Sequence, residues 1–154
     1  MAQIKTLLAA LACSTMVATP AVAAACSFAA QGEGRVATVI DARSFRLADG
    51  RDIRLAGIEP VAYDAANSRA ALSALIAGRD VTLRGEDDTP DRYGRQPAFV
   101  FLDGAENSVQ AALLGQGEAL VSANVTDKDC AAALLAAEAA PAMQKVAFGP
   151  VRPS

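Results

Sequence analysis

The chain has 154 residues, of which 14 are basic, 17 are acidic and none is histidine, so its formal net charge is −3. This length suits one ordinary domain. The lack of histidine excludes Ser–His–Asp hydrolysis, histidine general-base catalysis and histidine metal ligands. The acidic balance argues against a non-specific nucleic-acid binder with a broad basic face, and leaves only a local basic cluster as a candidate.

Residues 1–23 have the features of a secretory signal peptide. Lys5 supplies a positive start, and the apolar run Leu7–Ala18 is too short to span a bilayer. Ala21-Val22-Ala23 matches the small-residue pattern of a cleavage site. The sequence therefore predicts an exported protein, periplasmic or secreted. The alternative is an uncleaved membrane anchor.

Two cysteines remain once Cys13 is removed with the signal peptide, namely Cys26 and Cys130. In an oxidising compartment they are expected to form one disulfide bond. The alternative is a lipid anchor on Cys26. The residues before it, Ala23-Ala24-Ala25, lack the large aliphatic side chain usual ahead of a lipidated cysteine.

The first half of the mature chain is predicted to form strands. Residues 24–33 are small and polar and are expected to be an N-terminal lead. Arg35–Ile40 is rich in Val, Ile and Thr, which favours a first strand. Alternation at Phe45 and Leu47, and again at Ile53 and Leu55, predicts two more strands joined by a turn at Asp49-Gly50. Arg54 then lies on the opposite face from Ile53 and Leu55.

A helical period follows, with Leu72, Leu75 and Ile76 on one face. Asp64 is expected to cap this helix and Gly78 to end it. Alternation at Val81 and Leu83 predicts a fourth strand. The acidic segment 86–91 is predicted to be a loop, and Ala98–Leu102 a fifth strand.

The last third is predicted to contain two helices separated by a short strand. The first helix has one apolar face formed by Val109, Leu113 and Leu114, and it is expected to end at Gly115 and Gly117. Residues 118–122 then favour a short strand. Thr126 and Asp129 have the spacing of a capping box before a helix over residues 127–140. Pro141 is expected to stop this helix, and residues 141–154 are expected to be a disordered tail.

This order of elements predicts an α+β domain over residues 34–140. Five short strands with a helix between the third and fourth are typical of a five-stranded OB-type Greek-key barrel, here with about three helices.

Four local motifs occur on these elements in a fixed order. They are Val39-Ile40-Asp41, Arg54-Leu55-Ala56-Gly57-Ile58, Asp91-Arg92-Tyr93-Gly94-Arg95, and Val109-Gln110 followed by Gln116-Gly117. In this order the chain resembles the thermonuclease, or staphylococcal-nuclease-like, family from about Gly34 to Ala140. The resemblance implies the OB-type barrel and phosphodiester hydrolysis with a calcium ion.

The resemblance also implies roles for single positions. Carboxylates hold the hard cation, a glutamate handles the attacking water, and two arginines neutralise the phosphate. The two phosphate-gripping positions fall on Arg54 and Arg95, which are intact. The metal positions fall on Asp41 and Glu59, the latter one methylene longer than the family's aspartate.

Two positions depart from the family pattern. Arg43 stands where a second aspartate would bind the metal, and the glutamate that handles water falls on Ala62, or on Val61 if the alignment shifts by one. A cation in place of a metal ligand repels calcium, and a missing general base commonly costs about 10²–10⁴-fold in rate. The chain is therefore an enzyme by resemblance only, expected to lack metal-dependent cleavage and to need no cofactor.

Three functional interpretations follow. In the first, the domain is a binding or structural module whose anion site is formed by Arg43, Arg54 and Arg95. This site weakly binds single-stranded nucleic acid, a nucleotide or another phosphate, and Tyr93 stacks on a base. In the second, Asp41 and Glu59 hold Ca²⁺ in an atypical but active phosphodiesterase. In the third, the domain is a periplasmic protein-interaction module.

An alternative to the anion site is an ion-pair network with a purely structural role. In it, Arg43 pairs with Asp41 and Glu59, and Arg95 pairs with Asp91.

Overall fold

The computed structural model describes residues 28–147. The predicted signal peptide, Cys26 and residues 148–154 lie outside this range. The elements in chain order are β1 (Ala29–Asp41), β2 (Ser44–Leu47), β3 (Asp52–Leu55), β4 (Ile58–Pro60), α1 (Ala65–Ile76), β5 (Asp80–Gly85), β6 (Arg95–Leu102), α2 (Val109–Gln116), β7 (Ala119–Val121) and α3 (Lys128–Ala147).

Five strands form a closed barrel in the order β1-β2-β3-β6-β5. Neighbours are antiparallel except β3 and β6, which run parallel. The long strand β1 closes the barrel because residues 29–35 pair with β5 and residues 36–41 pair with β2. The prediction of a mixed α+β domain is confirmed, with five barrel strands and three helices within the described residues.

The core fills the barrel and continues under the helices. Alternation along β2 and β3 sends Phe45, Leu47, Ile53 and Leu55 inward, where each is at most 1% exposed. Their neighbours on these strands, such as Arg54, lie on the outer face. Helix α2 packs on β6 and α3, and α1 packs on β1.

One buried polar side chain ties α2 to the barrel. Gln110 is fully buried, and its Oε1 accepts a hydrogen bond from the Val100 N–H at 3.2 Å. Its Nε2 donates to the carbonyls of Ala98 and Ala56 at 2.9 and 3.2 Å. The amide therefore holds the end of β3 and the middle of β6 in one place.

Two predicted boundaries are wrong. Strand β1 begins at Ala29, inside the predicted lead, because residues 29–34 pair with β5, a partner that local composition does not encode. Helix α3 continues past Pro141 to Ala147. Proline removes one backbone donor, but the alanine-rich sequence around it has a high helix propensity and the helix continues. Residues 141–147 are thus helical rather than disordered.

Two predicted caps are also wrong. Asp64 lies at the N-cap of α1, but its carboxylate accepts from the side chain of Asn67 instead of from a backbone N–H. At α3 the capping acceptor is Asp127, which binds the Cys130 N–H at 2.7 Å. Thr126 instead donates to Glu86 at 2.7 Å.

A small second sheet was not predicted. Strand β4, only three residues long, pairs antiparallel with β7 and places Glu59 opposite Leu120. This pairing fixes the backbone of Glu59 beside the barrel. Within residues 28–147 the structure contains no helix with the length and apolarity to cross a membrane.

Candidate anion-binding site

The three predicted arginines lie on neighbouring elements of the barrel. Arg43 is in the two-residue turn between β1 and β2, Arg54 is on β3, and Arg95 begins β6. Arg54 lies opposite Ser44 on β2, and the side chain of Arg95 reaches the Ser44 hydroxyl at 3.5 Å. We call these three residues the arginine cluster.

Glu59 lies between two members of the cluster. Its Oε2 accepts from Nη1 of Arg43, and its Oε1 is 3.7 Å from Nη2 of Arg54. The side chains of Arg43, Arg54 and Glu59 are 25%, 30% and 45% exposed. One carboxylate therefore faces two guanidinium groups, which leaves this part of the cluster with a net positive charge.

The hydrogen-bond donors of the Arg54 guanidinium are only partly satisfied by this arrangement. Its Nε is buried and has no hydrogen-bond acceptor in the part of the chain that the structure describes. The 3.7 Å from Nη2 to Glu59 is an ion-pair distance, longer than a hydrogen bond. Nε and Nη2 form the edge of a guanidinium that can bind two oxygens of one carboxylate or phosphate in parallel. In Arg54 the Nε end of this edge has no acceptor, and the Nη2 end has only the ion pair with Glu59.

Arg95 differs because Asp91 saturates one edge of its guanidinium. Nε and Nη2 of Arg95 both donate to Oδ2 of Asp91, at 3.0 and 2.9 Å, while Oδ1 accepts the backbone N–H groups of Tyr93 and Arg95. Gly94, at φ 77°, supplies the left-handed residue that this tight turn needs. Arg95 is therefore held in position, with only Nη1 directed to Ser44.

The hydrogen bonds of this turn change the acidity of Asp91. Burial raises the pKa of Asp91, but the hydrogen bonds from Arg95 and Tyr93 outweigh it and lower the pKa to about 2. The carboxylate therefore stays charged at all but strongly acidic pH, and its contact with Arg95 persists.

Asp41 does not meet Glu59 in a metal site. Its Oδ1 accepts the backbone N–H of Arg43 at 2.9 Å, which stabilises the hairpin turn. The guanidinium of Arg43 instead contacts Glu59. The ion-pair alternative thus describes the contacts of Arg43 with Glu59 and of Arg95 with Asp91, whereas Asp41 contacts the backbone of Arg43.

These residues do not fit a calcium ion. Calcium takes six or more oxygen ligands. The Glu59 carboxylate already accepts a hydrogen bond from Arg43, whose positive charge lies beside it. Among residues 28–147 no cluster of three or more His, Cys, Asp or Glu side chains is arranged to hold a metal. Ala62 is exposed, and Val61 is buried in the core, so neither position supplies a carboxylate.

One aromatic side chain contacts the cluster. Tyr93 is 64% exposed, and the guanidinium groups of Arg92 and Arg95 lie 4.8 and 5.0 Å from the centre of its ring. Tyr63, three residues after β4, is 91% exposed. The Tyr93 ring is therefore already in contact with two cations, one of which belongs to the cluster.

Two contributing residues were not predicted. Ser44, 1% exposed, lies under the cluster between Arg54 and Arg95, and Asp52 pairs with Arg46 at 2.6 and 2.8 Å beside Arg95. Hydrogen bonds from Arg46 lower the pKa of Asp52, and the charge of Arg95 adds to this effect. Strand alternation places both residues on the face of Arg54, so the sequence contains the signal that could have found them.

Cys130 is fully buried in the core near the start of α3. Its predicted partner Cys26 lies outside the described residues, so their disulfide bond stays a prediction.

Comparison with protein-family models and with curated proteins found no match for this chain.

Proposed function

We propose that this chain is an exported thermonuclease-like domain that binds phosphate anions without hydrolysing them. Its ligand is a nucleotide or single-stranded nucleic acid, bound weakly through the arginine cluster. The observation that carries the proposal is the Nε of Arg54, which has no acceptor among the described residues, next to a second guanidinium from Arg43. A phosphate has the oxygens and the charge that this pair lacks.

We propose further that the barrel is of the OB type. In support, the strand order β1-β2-β3-β6-β5, the parallel pair β3–β6 and the helix α1 before β5 follow the Greek-key connections of that fold. OB barrels often bind oligonucleotides on the face formed by their second and third strands. Arg54 lies on that face.

The chemistry of the site favours binding over cleavage. Hydrolysis of a phosphodiester needs an activated water, but in this structure the carboxylates of Asp41 and Glu59 are hydrogen-bonded and the described residues contain no metal cluster. Arg43 engages Glu59, and Asp41 is bound to the backbone. Arg54 and Arg95 nevertheless keep the two phosphate-neutralising positions that the resemblance implies, which is the part of the family's chemistry that this chain retains.

A cleavage assay separates this proposal from the active-phosphodiesterase alternative. The mature protein is incubated with a single-stranded DNA oligonucleotide and Ca²⁺, then with chelator. We expect no chelator-sensitive cleavage, together with binding at low salt that Arg54→Ala weakens about tenfold or more, as for loss of a charge-assisted bidentate contact. Chelator-sensitive cleavage that Arg54→Ala abolishes would establish the alternative.

A further inference from the structure

The position of Glu59 suggests how the anion site is regulated. Its carboxylate has the charge and the paired oxygens of the ligand that Arg43 and Arg54 are proposed to bind, and it lies in contact with both. We propose that Glu59 is a tethered competitor, an internal anion that must leave the two guanidinium groups before a phosphate can bind. This inference rests on the proposed function of the cluster.

The backbones around the site are fixed. Glu59 is paired with Leu120 in the β4–β7 sheet. Arg43 donates its N–H to Asp41, and its carbonyl accepts the Leu55 N–H at 2.8 Å. Arg54 lies on a strand that is paired on both sides. The backbone positions from which the two guanidinium groups extend therefore stay in place when the carboxylate leaves.

The side chain of Glu59 is partly exposed. At 45% it has the highest exposure among the three side chains, so rotation about its own bonds can carry the carboxylate into water without moving the backbone. Arg43 and Nη2 of Arg54 then lose their anion, next to the Nε of Arg54 that has no acceptor. The exchange replaces one carboxylate by one phosphate at the same pair of donors.

The strength of the competition follows from the exposure of the pair. A half-exposed ion pair favours the paired state by up to about fivefold. The apparent affinity for an anion falls by the fraction of molecules in which the site is open. Removing the charge of Glu59 is therefore expected to tighten anion binding by about two- to fivefold.

The test compares Glu59→Gln with the wild type, with inorganic phosphate as the probe. Binding is followed by NMR chemical shifts of the Arg54 side chain and the β3 amides, at low ionic strength. The control Asp80→Asn makes the same change in net charge and releases Arg35, whose pair with Asp80 lies on strands β1 and β5. Thermal unfolding of each variant checks that it is folded.

We expect Glu59→Gln to bind phosphate about two- to fivefold more tightly than the wild type, and Asp80→Asn to change binding by less than about twofold. The double variant Glu59→Gln/Arg54→Ala should lose the gain. A structural or metal-binding role for Glu59 predicts the opposite sign, since loss of the carboxylate then weakens the site.

The other outcomes separate the two proposals. Arg54-dependent binding in the wild type that is equal or weaker in Glu59→Gln overturns the competitor role and leaves the proposed function intact. Binding by Glu59→Gln alone supports the competitor role but overturns anion binding by the wild type. Absence of binding in both proteins overturns both proposals.

Discussion

Replacement of Gln110 by alanine tests whether the buried amide holds the barrel strands that carry the arginine cluster. The side chain is fully buried and bonds to Val100, Ala98 and Ala56. Ala56 directly follows β3, which carries Arg54, and Ala98 and Val100 lie in the middle of β6, which begins with Arg95. Removing the amide therefore leaves backbone groups without their partner at the end of β3 and in the middle of β6, the two strands that position the site.

The cost can be worked from the individual contacts. Each buried polar group left unsatisfied costs about 1–3 kcal/mol. The Ala98 carbonyl keeps the hydrogen bond from the Ala56 N–H at 2.9 Å, so the main losses are at the Val100 N–H and the Ala56 carbonyl. With a contribution from the cavity, we expect Gln110→Ala to lower the free energy of unfolding by about 3–5 kcal/mol.

Urea unfolding followed by far-ultraviolet circular dichroism measures this loss, since the chain has no tryptophan for fluorescence. The midpoint should fall by about 2 M. Gln116→Ala is the matched control because it removes the same amide from an exposed position on the same helix, and it should change stability by less than about 0.5 kcal/mol. A loss below about 1 kcal/mol for Gln110→Ala, or equal losses for both variants, would refute the anchoring role.

Two further predictions concern turns of the barrel. Gly57→Ala should lower the free energy of urea unfolding by about 2–5 kcal/mol, because φ is 77° and the added carbon lies 2.9 Å from Leu134. Gly94→Ala has the same φ but open space around the added carbon, so it should lower this free energy by only about 1–2 kcal/mol. Equal losses for the two variants would contradict the steric argument. The lowered pKa of Asp91 contributes stability that is present above its ordinary pKa of 3.8 and is lost as the pH falls through about 2. Thermal midpoints measured between these pH values should therefore fall more steeply in the wild type than in Asp91→Asn, and parallel profiles would contradict this reasoning.

Most of the fold could be predicted because it is encoded locally. Alternation at Phe45, Leu47, Ile53 and Leu55 predicted β2 and β3, and Gly78 and Gly117 marked the ends of α1 and α2. The start of β1 and the strand β4 could not be predicted, since both depend on pairing with strands that are distant in the chain. The end of α3 was misjudged because a proline penalty can be outweighed by the helix around it.

The site could be predicted less completely than the fold. The family resemblance predicted that Arg43, Arg54 and Arg95 lie on one surface, but it could not show how their charges are paired. One edge of the Arg95 guanidinium is saturated by Asp91, whereas Arg43 and Arg54 share Glu59. This division depends on side-chain conformations and on the β4–β7 pairing, which no local pattern specifies.

The most direct test of the account is the salt dependence of binding to a single-stranded DNA oligonucleotide. Each phosphate neutralised on a single strand contributes about −0.7 to the slope of log K against log salt. Arg54→Ala should weaken binding and reduce this slope by about 0.7. The control Arg46→Ala removes an arginine from the same barrel face that is already paired with Asp52, and it should leave the slope unchanged. Equal effects of the two substitutions, or no effect of either, would contradict an anion site at Arg54.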